Sequence, residues 1–266
     1  MLKPILFAFF AVTFVSANDS GPLSSGVWTW AQLPVETTAV GERRAINDQP
    51  TLDFRRFLVH ATTLNGGREA HPPHAHPELE ELVIVKSGQL RVRWGDEEKV
   101  IGPGSFALLT NGVIHGLANA GTEPVTYYVI RYQTAPGAGA SGDEASASES
   151  LVRDWAEIPL QPFATGGRRQ LFDRPTPMLE NFEVHVTTLN AGLQNHATHT
   201  HRVEELVVIL KGEVEMQIGE QWHRAVAGDL VYLASQVPHA LRNVGDGPTE
   251  YYAIQWRVKS AAAAAE

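Results

Sequence analysis

His74-Ala75-His76-Pro77-Glu78-Leu79-Glu80-Glu81-Leu82-Val83-Ile84-Val85 returns later in the chain as His199-Thr200-His201-Arg202-Val203-Glu204-Glu205-Leu206-Val207-Val208-Ile209. The second version has one residue fewer between its histidine pair and its Glu-Glu. In both, the segment after the carboxylates is apolar at every position rather than alternating, so both faces of that strand are expected to be buried, one lining a barrel and the other packing on a second barrel. The echo runs on in both directions. Val27-Trp28-Thr29-Trp30-Ala31-Gln32-Leu33-Pro34 answers to Val152-Arg153-Asp154-Trp155-Ala156-Glu157-Ile158-Pro159, and Gly41-Glu42-Arg43-Arg44 to Gly166-Gly167-Arg168-Arg169. Val59 to Asn65 answers to Val184 to Asn190, and Pro124 to Tyr132 to Pro248 to Trp256. The chain of 266 residues is therefore an internal duplication.

Within each copy, short β-branched and aromatic runs are punctuated by Gly, Pro, Asn and Asp, the pattern of an all-β sandwich or barrel. Leu90 to Trp94, Gly95-Asp96 and Lys99 to Ile101 read as a hairpin, repeated at Val214 to Ile218 with Gly219-Glu220 at its turn. Residues 133–150 are rich in Ala, Gly, Ser and acidic side chains and read as a flexible linker. It separates an N-terminal domain, 18–132, from a C-terminal domain, 151–259, and 260–266 is a low-complexity tail. Residues 1–17 read as a signal peptide: Lys3, an apolar run from Ile5 to Val15, and a small-residue cleavage site at Val15-Ser16-Ala17. The run is shorter than the roughly 20 residues of a membrane span. With no twin-arginine, the leader points to Sec-type export to the periplasm or beyond, with metal acquired afterwards and no membrane partner once the leader is removed.

A net charge of −9 without any basic run excludes a nucleic-acid binder, because phosphate neutralisation needs clustered Lys and Arg. With no cysteine, disulfides cannot staple the exported fold and any metal must be bound by nitrogen and oxygen. The candidate ligands are His74, His76, Glu81 and His115, and in the second copy His199, His201, Glu205 and His239. Histidines at i and i+2 on an extended strand share a face, and a carboxylate from the next strand with a histidine from a later hairpin closes around one ion. Imidazoles with one carboxylate suit divalent Mn, Fe, Co, Ni, Cu or Zn and leave positions open for water or substrate.

At these residues the sequence resembles the cupin superfamily. Its first motif is met by Gly67, His74-Ala75-His76, Glu81 and Gly88, and again by Gly192, His199-Thr200-His201, Glu205 and Gly212. Its second is met by Gly104, His115 and Asn119, and by Gly228, His239 and Asn243. Thr110 and Ala234 stand where the family usually has proline, and Gln236 stands where Gly112 supplies a glycine in the first copy. The resemblance implies two tandem cupin jelly-roll β-barrels, a bicupin, with up to one transition-metal ion per domain.

Bicupins with these ligands include quercetin-type dioxygenases, oxalate decarboxylases and ureidoglycine aminohydrolases. The leading expectation is a metal-dependent dioxygenase-type oxidoreductase acting on a small oxygenated or aromatic compound. In it Glu81 and Glu205 are the catalytic carboxylates, ligands at rest and proton acceptors when substrate displaces them. The alternatives are a redox-neutral lyase, decarboxylase or hydrolase, and a non-catalytic module binding a small ligand or metal. The oxalate-type decarboxylase needs a lid carboxylate, and the one Ser-Glu-Ser, Ser148 to Ser150, lies in the linker.

The remaining expectations concern side chains around the ligands. His71 and His196 are either hydrogen-bonding supports of a ligand or loop residues at the barrel mouth. Arg43, Arg44, Arg168 and Arg169 either bind an anionic substrate or brace a carboxylate across the domain interface. His60 and His185 face pocket or solvent, and one of each pair Tyr127/Tyr128 and Tyr251/Tyr252 faces inward. Phe106, Leu108, Val83 and Val85 are expected to wall the first site, and homo-oligomers to form through outer barrel faces.

Overall fold

The computed structural model describes residues 21–135 and 149–259. The leader at 1–17, the tail at 260–266 and linker residues 136–148 lie outside the described residues. The first copy forms β1 (Gly26–Trp28), β2 (Val35–Thr38), β3 (Gly41–Gln49), β4 (Arg56–Leu64), β5 (Glu80–Ser87), β6 (Leu90–Trp94), β7 (Glu97–Ile101), β8 (Phe106–Leu109), β9 (His115–Asn119) and β10 (Val125–Gln133). The second forms β11 (Leu151–Arg153), β12 (Gln161–Phe163), β13 (Gly166–Arg174), β14 (Leu179–Leu189), β15 (Glu204–Lys211), β16 (Glu213–Ile218), β17 (Gln221–Val226), β18 (Leu230–Leu233), β19 (His239–Asn243) and β20 (Thr249–Val258). No helix among the described residues is long and apolar enough to cross a membrane.

Each copy folds a seven-stranded sheet against a three-stranded one. The expected hairpins are β6–β7 and β16–β17, turning at Gly95 (φ 54°) and Gly219 (φ 61°). Each large sheet is completed by the leading strand of the other copy. β1 pairs antiparallel with β18, Val27 opposite Val231, and β11 pairs antiparallel with β8, Val152 opposite Ala107. The two barrels are thus joined by a reciprocal exchange of short strands.

The strand after each Glu-Glu is buried on both faces, as its composition implies. Leu82 and Ile84 of β5 enter one hydrophobic cluster with Leu206 and Val208 of β15, while Val83 and Val85 enter the interior of the first barrel. Phe106 and Leu108 do not wall the first site. In an antiparallel ladder directly opposed residues share a face, and Phe106 pairs with Ile84 and Leu108 with Leu82, which puts both in the interdomain core. The tyrosine pairs divide in the same way. Tyr127 and Tyr251 point into their barrels, whereas the Tyr128 hydroxyl donates to the Gly228 carbonyl (2.8 Å) and the Tyr252 hydroxyl to the Gly104 carbonyl (2.7 Å) across the interface. Gly104 itself has φ 80°, and a Cβ there would stand 2.8 Å from Trp155 Cε3, so the crossing chain needs glycine at that point.

Arg44 and Arg169 are likewise turned outward. They stack on Trp30 (4.6 Å) and Trp155 (4.4 Å), the tryptophans that follow the exchanged strands, and among the described residues brace no carboxylate of the other domain.

The first glutamate of each Glu-Glu is fully buried in this interface. Glu80 accepts from the Tyr132 hydroxyl (2.5 Å), the Thr176 hydroxyl (2.7 Å) and the Met178 amide (3.3 Å). Glu204 accepts from Tyr232 (2.5 Å), Thr51 (2.7 Å), the Leu52 amide (3.0 Å) and Trp256 Nε1 (3.2 Å). Each carboxylate therefore gathers donors from the loop before the β4 or β14 strand of the other copy. Removing it strands buried donors at roughly 1–3 kcal/mol apiece. Glu80→Ala and Glu204→Ala should each lower the unfolding free energy by about 3 kcal/mol or more in urea titrations, and Glu80→Gln by less; a loss below about 1 kcal/mol would contradict this role. Burial pushes the Glu80 carboxyl above its ordinary value of 4.5 against the pull of its donors. Its stabilising contribution is complete below that ordinary value and is lost as pH rises through the folded-state value. Glu80→Gln should therefore gain on the parent as pH is raised across that range.

Candidate metal centres

The histidine pairs do not sit within a regular strand. They lie on the irregular segment ahead of β5 and β15, where a single β-bridge holds the first histidine of each pair. His74 and His115 exchange both backbone hydrogen bonds (3.0 and 2.8 Å), and so do His199 and His239 (3.1 and 3.0 Å). A second clamp comes from the turn before β9 or β19, where the Gly112 amide donates to the His76 carbonyl (2.8 Å) and the Gln236 amide to the His201 carbonyl (2.9 Å). Gln236 takes φ 64° here, where the first copy has Gly112 at φ 78°, so the departure from the family pattern leaves the turn intact. Asn119 and Asn243 tie the far end of β9 and β19 to Leu64 (3.0 Å) and Leu189 (2.8 Å) carbonyls; they are structural.

In each barrel three imidazoles converge, each offering one ring nitrogen within 4.8 Å of the other two: His74, His76 and His115, and His199, His201 and His239. The glutamate lies beside them. Glu205 Oε2 is 3.4 Å from His201 Nε2 and 3.8 Å from His239 Nε2, and Glu81 Oε2 is 3.9 Å from His76 Nε2. The donor set fits a cation. His115, His201 and His239 each direct Nδ1 at a backbone carbonyl, Val113 (2.9 Å), Val203 (2.8 Å) and Val237 (2.8 Å). A carbonyl only accepts, so Nδ1 carries the proton and Nε2 keeps its lone pair. Those three Nε2 atoms, together with Glu81 Oε1, are buried without a hydrogen-bond partner among the described residues. Burial holds His74, His199 and His239 below the ordinary imidazole value and, with Arg131, brings His76 to about 4. They are neutral near pH 7, the state that ligates. His201 moves the other way because it faces the Glu205 carboxylate.

His71 and His196 turn their edges to His74 and His199 (4.1 Å between ring centres in both) and, among the described residues, their rings bond only neighbouring carbonyls, so they stand at the mouths and orient no ligand nitrogen through hydrogen bonds there. His60 and His185 face the cavities, which enclose about 330 Å³ in the first barrel and 360 Å³ in the second. Arg43 and Arg168 line them too.

The two cavities differ where the copies differ. In the first, Arg131 Nε donates to Glu81 Oε2 (2.5 Å), and Leu58 lies opposite Arg131 on β4. In the second, Gln255 replaces that arginine and donates to Glu205 Oε2 (3.0 Å), and Glu183 lies opposite Gln255 on β14. Glu183 pairs with Arg168 and sits 3.2 Å from His185 Nδ1, itself 3.0 Å from Arg168 Nη2. Burial first, then Arg168, keep His185 below the ordinary imidazole value, against Glu183. Sequence reasoning singled out neither Glu183 nor the Arg131/Gln255 exchange. Setting the copies side by side and reading their mismatches would have found both.

A cupin domain model matches residues 61–131 and 185–255. A probable (S)-ureidoglycine aminohydrolase of Oryza sativa subsp. japonica is 21% identical over 204 residues, 76% of this chain; the match spans 62% of that relative. Among solved structures, a putative glyoxylate induced protein from Pseudomonas aeruginosa superposes with a TM-score of 0.70 at 16% identity, over 91% of this chain and 92% of that one. The oxalate decarboxylase of Bacillus subtilis, described with Mn(II) centres, superposes with a TM-score of 0.66 at 14% identity, over 92% of this chain and 80% of that one. With one family match on each barrel, and three converging histidines at the heart of each match, the chain belongs to the cupin family and is a tandem cupin, two jelly-roll barrels in one polypeptide.

Proposed function

We propose that this bicupin is a metal-dependent enzyme that performs redox-neutral chemistry, hydrolysis or elimination, on a small polar molecule bearing a carboxylate. The observation that carries this reading is the Arg168–Glu183–His185 group, which shares the second cavity with His199, Glu205 and His239. A divalent ion, Mn(II) being the one named for the decarboxylase relative, would be held by His199, His201, Glu205 and His239 and supply Lewis acidity.

The protein side chains supply the rest. His185 Nδ1 accepts from Arg168 Nη2 (3.0 Å), so the neutral ring carries its proton on Nε2 as a donor for the cavity it lines, and its depressed pKa leaves it neutral near pH 7. Arg168, balanced by Glu183, offers a guanidinium edge to an anionic group. Tyr251, Val207 and Leu233 line the same cavity, where apolar surface limits water. The likeness to the rice aminohydrolase favours a nitrogen-bearing substrate. Glu205 stays below the ordinary carboxyl value because His201, His239 and Gln255 together outweigh its burial, so it suits a ligand better than a base.

The test is ammonia release from small ureido acids, (S)-ureidoglycine first, by the full chain loaded with Mn(II). His185→Gln should reduce turnover by about 100-fold or more while bound metal is unchanged. Turnover equal to the parent's would remove His185 from the mechanism.

A dioxygenase acting on an aromatic compound is the second reading. It is favoured by the apolar side of the first cavity, formed by Leu58, Leu117, Tyr127 and Val129. The two readings separate in an oxygen electrode. Redox-neutral chemistry should proceed at the same rate under argon, whereas oxygen uptake matching product formed would establish the dioxygenase.

A further inference from the structure

The two barrels present the same four ligand types, yet the residue facing the glutamate is Arg131 in one and Gln255 in the other. We propose that this exchange sets metal affinity, making the second barrel the tight divalent-metal site and the first a weak one. The inference rests on reading the barrels as metal centres and says how they divide that role.

Arginine stays charged at any working pH, and its bond to Glu81 is charge-assisted. A metal in the first barrel must share that carboxylate with a fixed cation. Glu81 is 1% exposed, so solvent screens little of the repulsion between guanidinium and ion. Arg43 adds a second positive charge to the same cavity and has no carboxylate partner among the described residues, because Leu58 stands where Glu183 stands in the second barrel. In the second barrel Gln255 fixes Glu205 through a neutral amide, and Glu183 compensates Arg168. Each glutamate is held by one side chain from the neighbouring strand, but only in the second barrel is that partner uncharged.

The test is Mn(II) titration of the metal-free full chain by calorimetry, with free Mn(II) followed by electron paramagnetic resonance. The parent should bind one ion tightly, lost in His201→Ala and kept in His76→Ala. Arg131→Gln should strengthen the first barrel about 10- to 100-fold, and Gln255→Arg should weaken the second by a similar factor. Arg131→Lys retains the charge and should leave the first barrel weak, which separates charge from packing. Circular dichroism melts establish that each variant is folded; should Arg131→Gln fail to fold, Gln255→Arg carries the test alone. Two ions of equal affinity in the parent, or a folded Arg131→Gln or Gln255→Arg that binds as the parent does, would overturn the assignment while leaving the metal reading standing. No ion in either barrel would overturn both.

Discussion

The structure turns on a dipeptide. Successive residues of a strand point to opposite faces, so Glu80-Glu81 and Glu204-Glu205 send one carboxylate between the barrels and the next into a barrel. The outward pair, Glu80 and Glu204, gathers the hydroxyls and amides of the other copy's loops. The inward pair joins the histidines. All four carboxylates are almost wholly buried; hydrogen bonds offset that cost, and among the described residues they leave Glu81 Oε1 for an ion. Formation of the interdomain core and formation of the site are thus coupled through two adjacent residues, and a one-residue slip of β5 or β15 would destroy both.

The same strand logic decides how much was legible in the sequence. The duplication, the hairpins and the ligand set follow from spacing alone, since β periodicity and turn residues are local signals. What crosses from one copy to the other is not local. β1 and β11 are too short to announce their partners, and the face that Phe106 and Leu108 take depends on register with Ile84 and Leu82, which their own sequence does not carry. The i, i+2 spacing of the histidine pairs suggests a strand; the backbone there is irregular, held by the bridges to His115 and His239 and by the Gly112 and Gln236 amides. The paired arginines resolved through period 2, with Arg43 and Arg168 inward and Arg44 and Arg169 on tryptophans.

Duplication supplies two equal sites, and later substitutions act on each separately. Here the ligands were kept while the floor of each cavity diverged: Leu58 and Arg131 on one side, Glu183 and Gln255 on the other. One cavity holds fixed positive charge against its carboxylate, and the other holds an imidazole whose Nδ1 meets an arginine that Glu183 balances. Similarity between the copies carries the fold; the differences lie in the cavities.

Anomalous diffraction from crystals of the full chain grown with Mn(II) addresses the central claim most directly. The account expects a manganese peak enclosed by His199, His201, Glu205 and His239, with His185 and Glu183 facing it across the cavity. A map with no peak in either barrel, and those imidazoles bonded only to protein or water, would contradict it.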